Sequence, residues 1–210
     1  MVASAVVVFT AATSLKAGEP NPEIGIAVRD VTPELPIRLA GYSARTRAAD
    51  QIDTHLLVQA LAFKNVSGER FVLVSLDNCE VSHAFMEPVL KELDDKLQLG
   101  GGTVALVSSH THSAPVLDKV LTDMGDPPPA ERERIAKYSK FLQSNIVEVV
   151  GAALADCQPA SLEHAVGQTT FAMNRRVFRN DDVVIGENPD GPVDWDVPVL
   201  RVKGTNGPCE

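Results

Sequence analysis

The sequence predicts an α/β fold, a mixed β-sheet with flanking helices, and three observations predict it. Two apolar runs, Leu56 to Phe63 and Phe71 to Asp77, are joined by the short polar turn Asn65-Val66-Ser67-Gly68-Glu69, which requires antiparallel neighbours. A helical stripe then separates the second run from a third, Thr103 to Val107, and a strand–helix–strand order favours a right-handed crossover between parallel strands. The chain of 210 residues, 44% hydrophobic and 22% charged, has the length and composition to bury a core of one domain or two small ones.

Each element follows in order. After the linker Gly18-Glu19-Pro20-Asn21-Pro22, Ile24-Gly25-Ile26-Ala27-Val28 reads as a strand that runs into the turn Asp30-Val31-Thr32-Pro33. The Pro- and Gly-punctuated stretch Ile37 to Tyr42 reads as loop. From Ser82 to Leu97, the spacing of Phe85, Val89, Leu90, Leu93 and Leu97 predicts an amphipathic helix with Ser82 as N-cap, stopped by Gly100-Gly101-Gly102. Pro127-Pro128-Pro129 opens a second, long helix over Glu131 to Leu154, with apolar residues at Ile135, Tyr138, Phe141, Leu142, Ile146, Val149, Val150 and Leu154. Ser161 to Gln168 reads as a strand, interrupted by Asn174-Arg175-Arg176. Asp181-Asp182 is a polar turn before Val183-Val184-Ile185. Asp196 to Val202 is the last strand, and Lys203 to Gly207 a hairpin turn with no returning strand, which leaves a sheet edge open.

The formal charge of −9 and the absence of a dense Lys/Arg cluster argue against nucleic acid as a partner. Cys79, Cys157 and Cys209 form no Cys-x-x-Cys pair, so neither a thiolate zinc site nor a dithiol redox site is supported, and single buried thiols are expected. Residues 1–22 are a leader. Their apolar run, Ala3 to Ala12, suits a weak signal segment, a first strand or a disordered arm, and is too short to span a membrane as a helix.

The chemistry concentrates in Ser108-Ser109-His110-Thr111-His112-Ser113-Ala114-Pro115, directly after an apolar strand. In extended chain residues i and i+2 share a face, so His110 and His112 are expected to present two imidazoles to one side. Imidazole is the commonest metal ligand and a proton carrier near neutral pH. Asp77 and His110 are expected at equivalent ends of neighbouring strands, where α/β folds place their sites. Solvated turn histidines, and an Asp77 that only caps a loop, are the plain alternatives. His55, His83 and His164 read as surface or satisfied polar residues.

Several pieces together resemble one family, the neutral/alkaline non-lysosomal ceramidases. Asp30-Val31-Thr32-Pro33 with Leu39-Ala40-Gly41-Tyr42 is similar to the opening of their catalytic domain, and Val74-Ser75-Leu76-Asp77 to a following strand. Ser109-His110-Thr111-His112-Ser113-Ala114-Pro115 resembles their Thr-His-Thr-His-Ser-Gly-Pro element, Asn174-Arg175 their Asn-Arg motif, and Asp196 to Val202 the strand after it. The likeness spans residues 24–202 in order and departs at Ala114 and Arg176. It implies that 23–210 is the N-terminal part of a catalytic domain, incomplete at its C-terminal end. It also implies one Zn2+ ion held by His110, with the other ligands beyond residue 210. His112 and Arg175 would be catalytic groups contacting the substrate, with Asn174 beside them. The substrate would be the N-acyl amide of a ceramide-like lipid, cleaved to sphingosine and fatty acid, with peripheral membrane contact and a secreted or periplasmic location. The fragment alone is expected to be inactive. A metallohydrolase of barrel type, or a non-catalytic binding module on the same scaffold, are the rival readings.

Overall fold

The computed structural model describes residues 10–14, 21–42, 44–100, 102–120 and 127–204, and divides the chain into two compact units, 21–159 and the remainder. In the larger unit, strands β2 (Glu23–Asp30), β3 (Leu57–Lys64) and β4 (Arg70–Leu76) form an antiparallel meander, and β5 (Val104–Ser108) adds parallel to β4. Helix α1 (His83–Leu97) makes the β4–β5 crossover, and α2 (Pro129–Ala155) packs against β2 and β3 as well as α1. The α/β class and both strand polarities agree with the sequence pattern.

The core lies between the helices and one face of this sheet. Val58, Ala60 and Ala62 alternate inward on β3 and Val72, Val74 and Leu76 on β4, all fully or almost fully buried. They meet Phe85, Val89 and Leu93 of α1 and Leu142, Ile146, Val149 and Val150 of α2. Each of the larger of these side chains, from Val to Phe, contributes about 1.5–3 kcal/mol of burial free energy. Leu90 and Phe141, expected in the helical stripes, are instead 37% and 43% exposed, because each lies one step around its helix from the buried face. Gly25 lets β2 approach the end of α2: a Cβ there would lie 1.9 Å from the Ala153 carbonyl oxygen.

Ser82 caps α1 as expected, its hydroxyl accepting from the Phe85 N–H at 3.1 Å. The C-terminal stop differs from the sequence reading. The helix ends at Gln98, left-handed at φ +54°, before the glycines are reached, with its N–H on the Asp94 and Leu93 carbonyls. The Asp30-Val31-Thr32-Pro33 turn is held by its own side chains. Asp30 accepts from the Thr32 N–H at 2.8 Å, and the Thr32 hydroxyl accepts from the Leu56 N–H at 3.0 Å.

In the smaller unit, β6 (Gln158–Gln168), whose first two residues pair with β2, continues to pair antiparallel with β1 (Thr10–Ser14) and β9 (Asp196–Gly204). Part of the N-terminal segment is therefore a strand. The smaller unit also holds a two-stranded hairpin of β7 (Asn174–Arg179) and β8 (Asp182–Asn188), turning at Asn180 and Asp181, both left-handed. Asn174-Arg175-Arg176 does not interrupt a strand but begins β7, since the paired backbone, not side-chain polarity, decides strand state. The turn expected at 203–207 is strand to Gly204, and its remainder lies outside the described residues. No helix among the described residues is long and apolar enough to cross a membrane.

Candidate active site

The β4–β5 register pairs Leu76 with Ser108, so the loops that leave these two parallel strands start side by side. Ser109 N–H reaches the Leu76 carbonyl at 3.0 Å, tying one loop to the other strand. Asp77 sits at this end as expected, but its carboxylate accepts from the Leu57 N–H at 3.0 Å and closes the start of β3. The capping alternative describes it.

His110 and His112 come together, though by another route than strand pleating. The strand ends at Ser108, and His110 is left-handed at φ +57°. A turn therefore folds the two rings toward each other, with centroids 5.0 Å apart and an interplanar angle of 73°. A left-handed, non-glycine residue is costly by about 1–2 kcal/mol and is held here by its surroundings. One restraint is visible: His110 Nδ1 lies 2.9 Å from the carbonyl oxygen of Cys79 in the neighbouring loop. A carbonyl only accepts, so Nδ1 carries the proton and Nε2 is the acceptor of the ring, facing His112 Nε2. A backbone carbonyl behind a histidine in this way is the usual support of a metal ligand.

The two Nε2 atoms are 3.4 Å apart. Two nitrogens bound at 2.0–2.1 Å to one tetrahedral ion are separated by about 3.3–3.4 Å. Cys79, His110 and His112 bring a thiol and two imidazoles within 4.8 Å of one another. The thiol sits against the Nδ1 edge of His110, at 3.7 Å. Burial, aided by Glu80, pushes the Cys79 thiol up from its ordinary value, so a metal bound there would have to displace its proton. The donor set fits a metal through its imidazoles, with the thiol as a third candidate donor.

His112 rests in a seat built by residues 38–42 and Arg45. Ala40 N–H reaches the Ala114 carbonyl and Val116 N–H the Arg38 carbonyl, both at 2.9 Å, so the two loops run zipped together. Gly41, at φ +95°, has no Cβ where one would fall 2.1 Å from the His112 ring. Tyr42 meets that ring in a T-shaped contact, centroids 4.7 Å apart. Thr111 and Ser113, which flank His112, line a cavity of about 730 Å3 together with the polar residues Asp50, Asp53, Asp77 and His55 and the apolar Leu35, Leu39 and Ile52.

Asn174 and Arg175 lie in the β7–β8 hairpin. Asn174 is occupied within it, its amide donating to the Pro192 carbonyl at 3.0 Å and its oxygen accepting from the Arg176 N–H at 2.9 Å. His55 pairs with Asp30 at 2.5 Å, and His164 is exposed on β6. Cys79 and Cys157 are free thiols, and Cys209 lies outside the described residues. Neither Arg45 nor the Cys79 carbonyl was marked by any sequence signal. Gly41 and Tyr42 were, through the Gly-Tyr pair.

A family model described as neutral/alkaline non-lysosomal ceramidase, N-terminal, matches residues 23–177. A search of curated proteins gives no match. Among solved structures, the chain is similar to a neutral ceramidase from Pseudomonas aeruginosa, at 22% identity and TM-score 0.69. A ceramidase complexed with C2 is likewise similar, at 22% identity and TM-score 0.65. Both likenesses cover 90% of this chain and 30% of the solved one, and at that identity they show a shared fold.

Proposed function

We propose, from the premise that this chain belongs to the neutral/alkaline non-lysosomal ceramidase family, that it contributes the first part of a zinc-dependent amidohydrolase site acting on the N-acyl amide of a ceramide-like lipid. The observation that carries the reading is the His110 imidazole, whose Nδ1 proton is committed to the Cys79 carbonyl and whose Nε2 lone pair is turned toward His112 Nε2. A zinc ion supplies Lewis-acid polarisation of a carbonyl and acidification of water. His110 holds it. His112, seated by Gly41 and Tyr42, donates to or accepts from the substrate oxygens next to it. A cavity of about 730 Å3 lined by both polar and apolar residues suits an amphiphile.

The described residues bring together two imidazoles and one buried thiol, and the chain covers 30% of the solved ceramidases it is similar to, so the 210-residue chain alone is expected to bind zinc weakly and not to turn over. The test is release of a fluorescent fatty acid from an N-acyl sphingosine by this chain and by a chain extended through the rest of the family's length. Zinc-dependent release by the extended chain alone is expected. Release by neither, with zinc supplied, would sink the proposal.

A second reading is favoured by the 3.4 Å spacing: both Nε2 atoms ligate one ion. Replacing His112 by Ala separates the two. Loss of turnover with zinc binding retained supports a substrate contact, and loss of zinc binding supports a second ligand.

A further inference from the structure

We infer that Arg45 is a positioning residue for His112, which rests on the reading that His112 acts at this site. A single guanidinium nitrogen, Nη1, donates to the Ala40 carbonyl and to the His112 carbonyl, each at 2.9 Å. These carbonyls belong to two different loops and point their negative ends at one spot, so the cation is what lets them converge. The same guanidinium lies 5.1 Å from the centroid of the Tyr42 ring, and Tyr42 in turn packs on the His112 imidazole. Arg45 therefore touches both parts of the seat, the backbone of His112 and the aromatic wall beside its ring. With Gly41 open beneath the ring, the side chain of His112 is set from three directions. A group acting on a metal or a substrate has to be placed within about 0.5 Å. The Gly-Tyr pair of the sequence acquires a physical role by this route, and Arg45 completes it.

The proposal is tested in the full 210-residue chain by following the imidazole resonances of His110 and His112, first without zinc and then through a zinc titration. Arg45→Met keeps the apolar stem and removes both donations. Arg45→Lys keeps one nitrogen able to donate to both carbonyls. Tyr42→Leu keeps the bridge and removes the ring. In Arg45→Met the zinc-free His112 signals are expected to move at least as far as in Tyr42→Leu while the His110 signals stay in place. The zinc response at His112 should weaken about tenfold or more. Arg45→Lys should restore a large part of both. Should Arg45→Met fail to fold, Arg45→Gln is read in the same way. His112 signals at their wild-type positions in the Met variant, or in the Gln variant read in its place, would overturn the inference. A wild-type chain whose histidines ignore zinc would sink the metal reading instead, and leave the positioning of His112 decided by the zinc-free spectra.

Discussion

Two regions carry the motifs of this chain, and they are held in different ways. The His110–Pro115 loop leaves an edge of a sheet whose inner face is packed by two helices, and it is zipped to residues 38–42 and Arg45 by backbone bonds, a glycine that leaves room, an aromatic contact and an arginine bridge. The β7–β8 hairpin is held by its own ladder and by the amides of Asn174 and Asn188, with Phe178 and Ile185 78% and 73% exposed. The family match ends at residue 177, inside β7. The difference teaches that a strained, buried-backed loop fixes reactive atoms in place, while a hairpin fixes only which residues are neighbours.

The sharpest way to break that contrast is metal binding. His110→Ala should lower zinc affinity by about 100-fold or more, whereas Arg175→Ala should leave it within about twofold, measured by calorimetric titration. Zinc loss in the Arg175 variant would mean that the hairpin belongs to the metal centre. Stability gives the next contrast. Leu142→Ala, fully buried under the sheet, should cost about 2–5 kcal/mol in urea unfolding, and Ile185→Ala on the hairpin less than about 0.5 kcal/mol. Equal costs would show that the hairpin is packed after all.

Gly25→Ala should destabilise the larger unit by about 1–3 kcal/mol, because the added methyl meets backbone at the end of α2 that cannot rotate away. The smallest effect is on pH. Thr32, through its side chain and its backbone N–H, and then His55 hold the Asp30 carboxyl below its ordinary value of 3.8, against a modest opposing effect of burial. A lowered folded value stabilises above the ordinary one, and that contribution disappears as pH falls through the folded value. Asp30→Asn should therefore flatten the acid limb of the urea midpoint below about pH 4.

Much of the fold was legible because apolar periodicity reports burial directly. The β3–β4 hairpin, the parallel crossover and the long second helix follow from it, residue type marks the Ser82 cap, and the pairing of β2 with β3 came from the structure. The miscalculated positions are those where backbone geometry outranks side-chain type. Asn174 and Arg175 are polar yet begin a strand, and Gln98 turns left-handed before the glycines. In the site, the sequence brought forward the two histidines, the Asp77 position and the Gly-Tyr pair, but it read the histidines as extended neighbours on one face.

What the sequence by itself determined was which residues meet: local spacing places His110 and His112 on one loop after an apolar strand, and hydrophobic pattern places that strand beside β4, although as an edge strand it is only half-buried. What only the tertiary structure decided was how they meet. The left-handed turn at His110, the Cys79 carbonyl that fixes its proton, and the bridge from Arg45 all depend on contacts between segments far apart in the chain. Such contacts leave no periodic trace, because a single hydrogen bond or a missing Cβ sets an angle without needing a repeated pattern to do so.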